Sequence, residues 1–198
     1  MRLLSIPLAV LIALGALPLL ARWVMHVWQS LVGQPQDPTQ LAAGVGLGAL
    51  LVWWRRPNWL VHTTIHETCH ALVCILLLVP VRQFQVSDGQ GGAVLHDRVD
   101  WLRTTVIAIA PYTLPLLLAP ALIAQQFATP TWRPTATFAV GLLAMHHLHG
   151  LWHNVRLNFL GRQSDLARIG RLLSLVLIAC ALLALSGWIM LVLWEIRR

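Results

Sequence analysis

His66, Glu67 and His70 are the residues of this chain whose types and spacing combine into a chemistry. They form the pattern HExxH, His66-Glu67-Thr68-Cys69-His70. Histidines four apart lie on one face of a helix, so both imidazoles can hold one zinc ion. The glutamate beside the first histidine is then placed to act as general base toward a water that the metal acidifies. A random chain of this composition contains the pattern in about 0.4% of cases. Glu67 is also one of only two glutamates, the other being Glu195 near the C-terminus. A carboxylate inside an apolar helix is expensive and by default functional. The competing explanation is a His/Glu polar cluster that glues helices together.

A catalytic zinc site takes three protein ligands and leaves a fourth position open. Two candidates for the third ligand stand in the sequence. Asp165, in Gln163-Ser164-Asp165, is one of few acidic residues beside apolar runs; its alternative role is to cap the last helix together with Ser164. The second candidate is the cluster His146, His147, His149 and His153, of which His146, His149 and His153 share one helical face. If the segments cross in a simple serpentine, the third and fifth run parallel, and the depth of His146 to His149 roughly matches that of His66. Asp165 then falls towards the opposite surface unless the fifth helix ends at mid-depth. Topology alone favours a histidine. The isolated His26, His62 and His96 read as interfacial or packing residues.

The elements that must position these groups follow from composition. Of 198 residues, 58% are hydrophobic and 11% charged, against about 25% charged in a soluble domain. Mean hydropathy is +0.70. These values exclude a water-soluble globule, a disordered chain and a disulfide-stapled secreted domain, and leave an integral membrane protein. The 14 basic residues are all arginine, against 7 acidic ones. They sit beside apolar runs, as at Arg55–Arg56, Arg162–Arg171 and Arg197–Arg198. That placement suits lipid headgroups and gives no reason to invoke nucleic acid. Cys69, Cys74 and Cys180 all lie in apolar stretches and offer no disulfide framework. Trp53, Trp54, Trp59, Trp101, Trp132, Trp188 and Trp194 fall near the ends of apolar runs, as an aromatic belt does.

Six apolar segments are expected. The first, Leu3 to Leu20, reads as an uncleaved helix. A loop over Gly33 to Gln40 precedes the second, Leu41 to Trp54, which Arg55, Arg56 and Pro57 break. The third, about Trp59 to Val79, carries His62, His66, Glu67 and His70 and is closed by Pro80. A hairpin follows over Arg82 to His96, with its turn at Asp88-Gly89-Gln90-Gly91-Gly92. Thr104 to Ala128 is the fourth, with Pro111, Pro115 and Pro120. Thr135 to about Asn158 is the fifth, and Leu172 to Trp194 the sixth. The expected fold is an all-α integral membrane protein of about six transmembrane helices with a small β-hairpin between the third and fourth. It is a single membrane domain over 1–198, with a catalytic core of about 59–194 and two accessory helices in 1–56.

These features resemble the site-2 protease family of intramembrane zinc metalloproteases. HExxH stands in an apolar helix, a glycine-bearing hairpin follows, then another helix and a late aspartate. In that family the third ligand is an Asp at a break in a transmembrane helix, with an Asn several residues upstream. Asn154, Asn158 and Asp165 offer a similar arrangement, and Gly161-Arg162-Gln163-Ser164-Asp165-Leu166 looks like the QSD or QTD variant of short bacterial members. The LDG that usually surrounds the Asp is absent. The resemblance covers roughly Val61 to Leu173. It implies Asp165 as third ligand, with Gly161 supplying the break. His146, His149 and His153 remain as the alternative ligand or as partners that orient one, and Asn154 and Asn158 as residues that position substrate.

The expected function is hydrolysis of peptide bonds in membrane-protein or peptide substrates. One zinc per chain is held by His66, His70 and Asp165, and Glu67 is the base. The implied setting is a lipid bilayer, the bacterial inner membrane in view of the short form, with several passes and no nucleic-acid partner. The hairpin offers either an edge strand for an extended peptide or a plain surface loop. The rival is a His-rich metal-binding membrane protein without hydrolytic activity, a transporter or metal chaperone using the His146–His153 face.

Overall fold

The computed structural model describes residues 2–31, 38–54, 58–87, 91–161 and 163–195. Its elements in chain order are α1 (Arg2–Leu14), α2 (Ala16–Leu31), α3 (Thr39–Trp54), α4 (Trp59–Leu76), β1 (Val81–Ser87), β2 (Gly91–His96), α5 (Trp101–Thr113), α6 (Leu118–Gln126), α7 (Arg133–Phe159), α8 (Asp165–Ile169) and α9 (Arg171–Glu195). The breaks at Arg55 to Pro57, most of the Gly33 to Gln40 loop and the Asp88 to Gln90 part of the hairpin turn lie outside the described residues.

The expected count of six membrane-crossing helices is corrected. By length and composition, two described helices can cross a membrane, Leu4–Gln29 and Arg171–Val192, or three if α5 and α6 together make one broken span. The physical reasons differ by segment. Helix α3 has 16 residues, so at about 1.5 Å per residue it falls short of a bilayer core of about 30 Å. In α4 the His66-Glu67-His70 group lowers the apolar character. Helix α5 stops because Leu114 precedes Pro115 and takes an extended conformation, φ −92° and ψ 110°, as pre-proline residues do. Helix α7 is 27 residues long but carries four histidines, Asn154, Arg156 and Asn158. The first apolar segment extends further than expected, since α1 and α2 continue each other across Gly15. Its side chains at Leu4, Leu11, Leu14 and Leu19 are exposed, which suits lipid rather than water.

The chain divides into two compact units. The second comprises Ile12–Arg56, Pro115–His149 and Ala179–Arg198. Its core gathers Leu118, Leu122, Val140 and Val192, with Leu41, Leu143, Trp188 and Ile189 packed around them. Trp53, Trp54 and Trp132 stay exposed, as belt residues should, whereas Trp188 packs on this core.

The first unit, Met1–Leu11, Pro57–Leu114 and Gly150–Ile178, contains the HExxH helix and the hairpin. Helix α4 starts where the Asn58 side chain accepts a hydrogen bond from the Val61 amide at 3.2 Å, which satisfies one of the open donors of the first turn. Thr64 and Thr68 donate their hydroxyls to the carbonyls of Leu60 and Thr64, each at 2.7 Å, so these polar groups are paired within the helix itself. The helix closes with Val79 N donating to Cys74 O at 2.8 Å, around Leu78 at φ 56°. That left-handed turn sends the chain through Pro80 directly into β1.

Strands β1 and β2 pair antiparallel with Val86 opposite Gly92 and Gln85 opposite Ala93, and an irregularity falls between Val81 and Gln83. The base of the hairpin is tied by Arg82, whose Nε and Nη2 each reach an Asp97 oxygen at 2.8 Å. This bidentate partner holds the Asp97 carboxyl below the usual carboxylate range. A depressed folded-state pKa stabilises the hairpin above the ordinary Asp value, and that support fades as pH falls through the folded pKa. Asp100 caps α5 by accepting from the Arg103 amide at 3.0 Å. That bond likewise keeps its carboxyl low.

Candidate metal centre

Helix α4 presents His66 and His70 on one face, one turn apart, and both are buried. Their rings meet edge to face with centroids 5.0 Å apart. His70 Nδ1 lies 2.7 Å from the Ile107 carbonyl of α5. A carbonyl only accepts, so Nδ1 carries the proton and Nε2 keeps its lone pair. That lone pair is the one a metal needs, and the α5 backbone holds the ring in orientation for it. His66 Nδ1 is buried with no hydrogen-bond partner in the protein.

Asp165 reaches the same place from the far side of the sequence. Helix α7 ends at Phe159, and Gly161 at φ 73° turns the chain in a conformation that favours glycine. The returning segment places Asp165 at the start of α8. Its Oδ2 lies 3.4 Å from His66 Nε2 and 3.8 Å from His70 Nε2. Asp165 does not cap α8. The Leu166 amide donates to Asn158 Oδ1 at 3.1 Å, and Ser164 makes no side-chain cap.

The ligand atoms of His66, His70 and Asp165 all lie within 4.8 Å of one another, the one such group of three His, Cys, Asp or Glu side chains among the described residues. Two neutral nitrogens and one carboxylate oxygen make the donor set that suits zinc with an open fourth position. The fixed His70 tautomer fits the same assignment.

Asn158 builds the turn that brings Asp165 back. Its Nδ2 reaches the Tyr112 hydroxyl, the Asn154 carbonyl at 3.1 Å and Gln163 Oε1 at 2.9 Å, while its Oδ1 accepts from Leu166. Tyr112 stands at 3.1 Å from Asp165 Oδ2 and stacks edge to face on His66. Asn154 Oδ1 accepts from His62 Nε2 at 2.8 Å. Asn154 and Asn158 are both buried and engaged with the protein's own groups.

The three candidate ligands and Glu67 line a cavity of about 650 Å³. Its walls are α4, strand β2 along its whole length, α5, the end of α7 and the α8 turn. Strand β2 presses on α4 at Gly92. A Cβ there would stand 2.5 Å from Glu67 Cγ and 2.9 Å from both the Gln85 carbonyl oxygen and Thr63 Cγ2. Only glycine lets the strand cross Glu67 so closely. The His-rich face is divided. His153 belongs to the first unit, lines the cavity and packs against Trp59 and His62. His146, His147 and His149 belong to the second unit, and His149 Nε2 is buried there with no hydrogen-bond partner.

The family model described as Peptidase M50B-like matches residues 41–195. The chain belongs to this family. Membership bears out the resemblance to the site-2 proteases, and the match extends beyond the motif region to include nearly all of α3 and the whole of α9. The family is one of membrane-bound zinc metalloproteases. No curated protein and no solved structure matches the chain.

Several residues around the centre escape a reading of the sequence. Tyr112 and Arg168 carry no spacing signal. His62 stands one turn before His66 on the same face of α4, so its helical phase was the available clue. It reads as a packing residue in isolation, yet it lines the cavity.

Proposed function

We propose that this chain is an intramembrane zinc endopeptidase acting on membrane-protein substrates. The observation that carries this reading is the convergence of His66, His70 and Asp165 beside Glu67, in a cavity of an apolar chain. Zinc held by these three residues would supply a Lewis acid able to polarise a peptide carbonyl and acidify a water. Glu67 takes the proton from the attacking water and delivers it to the leaving amine. His70 keeps its lone pair on the cavity side because Ile107 accepts the other ring proton. Asp165 adds the negative charge that balances the metal. The resemblance to short bacterial members supports the bacterial inner membrane as its location.

A helical substrate hides its carbonyls in helix hydrogen bonds, so the bond to be cut must be presented in extended form. Strand β2 pairs only with β1 among the described residues and forms one wall of the cavity. Its other edge suits an extended peptide, which would gain main-chain hydrogen bonds there.

The test is metal content. Purified full-length chain is expected to hold one zinc, and His70→Ala to lose most of it. Undiminished zinc in the variant would sink the reading. A second expectation concerns Gly92. In Gly92→Ala the Glu67 side chain can swing aside, but the Gln85 carbonyl is backbone and cannot, so β2 must shift. Misplacement on that scale costs about 100-fold in rate. Cleavage of a co-expressed single-span substrate should fall by that order with zinc retained. Cleavage at the parent rate would show that the close crossing has no part in turnover.

A further inference from the structure

The geometry points to Tyr112 as the residue that positions the Asp165 carboxylate for metal binding, an inference that rests on the metal-centre reading above. Tyr112 is the one tyrosine of the chain and is 1% exposed. It is not among the residues lining the cavity, so it acts on the site through Asp165.

The hydroxyl has one proton to give and two acceptors in reach, Asp165 Oδ2 at 3.1 Å and Gln163 Oε1 at 3.3 Å. Gln163 Oε1 is already served by Asn158 Nδ2 at 2.9 Å. Asn158 Nδ2 also approaches the Tyr112 oxygen, which fills an acceptor position and turns the phenolic proton outward. The charged acceptor is the nearer and the stronger one, so the proton goes to Asp165. The oxygen that receives it is the one facing both His66 Nε2 and His70 Nε2. The same tyrosine ring lies edge to face on His66, centroids 5.8 Å apart. One side chain thus fixes the carboxylate by its hydroxyl and one imidazole by its ring. Asp165 sits on a short helix after a turn, and among the described residues no hydrogen bond from α8 itself holds its carboxylate. Partners of metal ligands commonly set affinity by this means.

Tyr112→Phe removes the hydroxyl and keeps the ring on His66. Zinc affinity of the full chain in detergent, measured by competition with a chromophoric chelator, should fall about 10- to 100-fold. Co(II) loaded in place of zinc should show shifted visible bands in the variant, because the carboxylate no longer holds its donor geometry. A purely structural role would lower the melting temperature of the metal-free protein and leave the Co(II) bands unmoved. Tyrosine labelled at Cζ with carbon-13 gives a single resonance in the parent chain. Zinc should move it, because the metal takes electron density from the oxygen that Tyr112 contacts. This measurement decides the matter even if the variant folds poorly. Equal affinity with identical Co(II) bands overturns the proposal, as does a tyrosine resonance that zinc leaves in place while zinc binds. A parent chain that binds no zinc overturns the metal-centre reading itself, and the two failures are thereby distinguished.

Discussion

Glu67→Gln is expected to abolish cleavage and leave zinc in place. Gln is nearly isosteric with Glu, so the packing under Gly92 persists. It has no basic oxygen to accept a proton from water, and positioned general bases contribute about 100- to 10,000-fold in rate. Glu67 contributes no ligand atom to the His66, His70 and Asp165 group, so metal content should match the parent. The assay is cleavage of a co-expressed single-span substrate, run beside metal analysis of the same preparation. Residual cleavage near the parent rate would mean that Glu67 is not the base. The variant also separates the two function classes raised by the sequence. A His-rich transporter or metal chaperone should tolerate the change unless Glu67 carries protons, whereas a hydrolase loses its turnover and keeps its metal.

The parts of this protein legible in the sequence are those with a local signature. HExxH announces its helix and its shared face through the i, i+4 period. The hairpin is announced by alternation and a glycine-rich turn, and β1 and β2 pair where expected. The number of spans was not legible, because apolar runs mark helices without marking how far each extends. Pro115 broke one run, and α7 spent its length on polar groups. The candidate third ligand shows a different limit. Counting residues from helix ends places Asp165 towards the opposite surface from His66 and favours a histidine of the fifth segment, because the count assumes straight crossings. Asn158 defeats that assumption by tying the Gln163 to Leu166 turn back onto α7 and Tyr112. No period or spacing encodes such a knot, since its members come from α5, α7 and the loop before α8. Gly161 was the one local sign that the chain turns there.

The choice between Asp165 and His149 is decided by Asp165→Asn and His149→Ala run in parallel. If Asp165 served only to cap α8, Asn would replace it, since Asn caps a helix about as well and a cap is worth about 1 kcal/mol. The geometry already weakens that role, because Asn158 and not Asp165 serves the Leu166 amide. As a ligand, Asp165 loses its anionic oxygen in the variant, and the Tyr112 hydroxyl loses its charged acceptor. Zinc should then bind weakly and cleavage should fall to background. His149→Ala should keep its zinc, because the ligand atoms that lie within 4.8 Å of one another belong to His66, His70 and Asp165. The buried His149 Nε2 is without a hydrogen-bond partner, so its removal deletes an unsatisfied polar group and need not cost stability. A fully active Asp165→Asn together with a zinc-free His149→Ala would transfer the third ligand to α7. The hydroxyl of Tyr112 would then be holding a carboxylate that binds nothing.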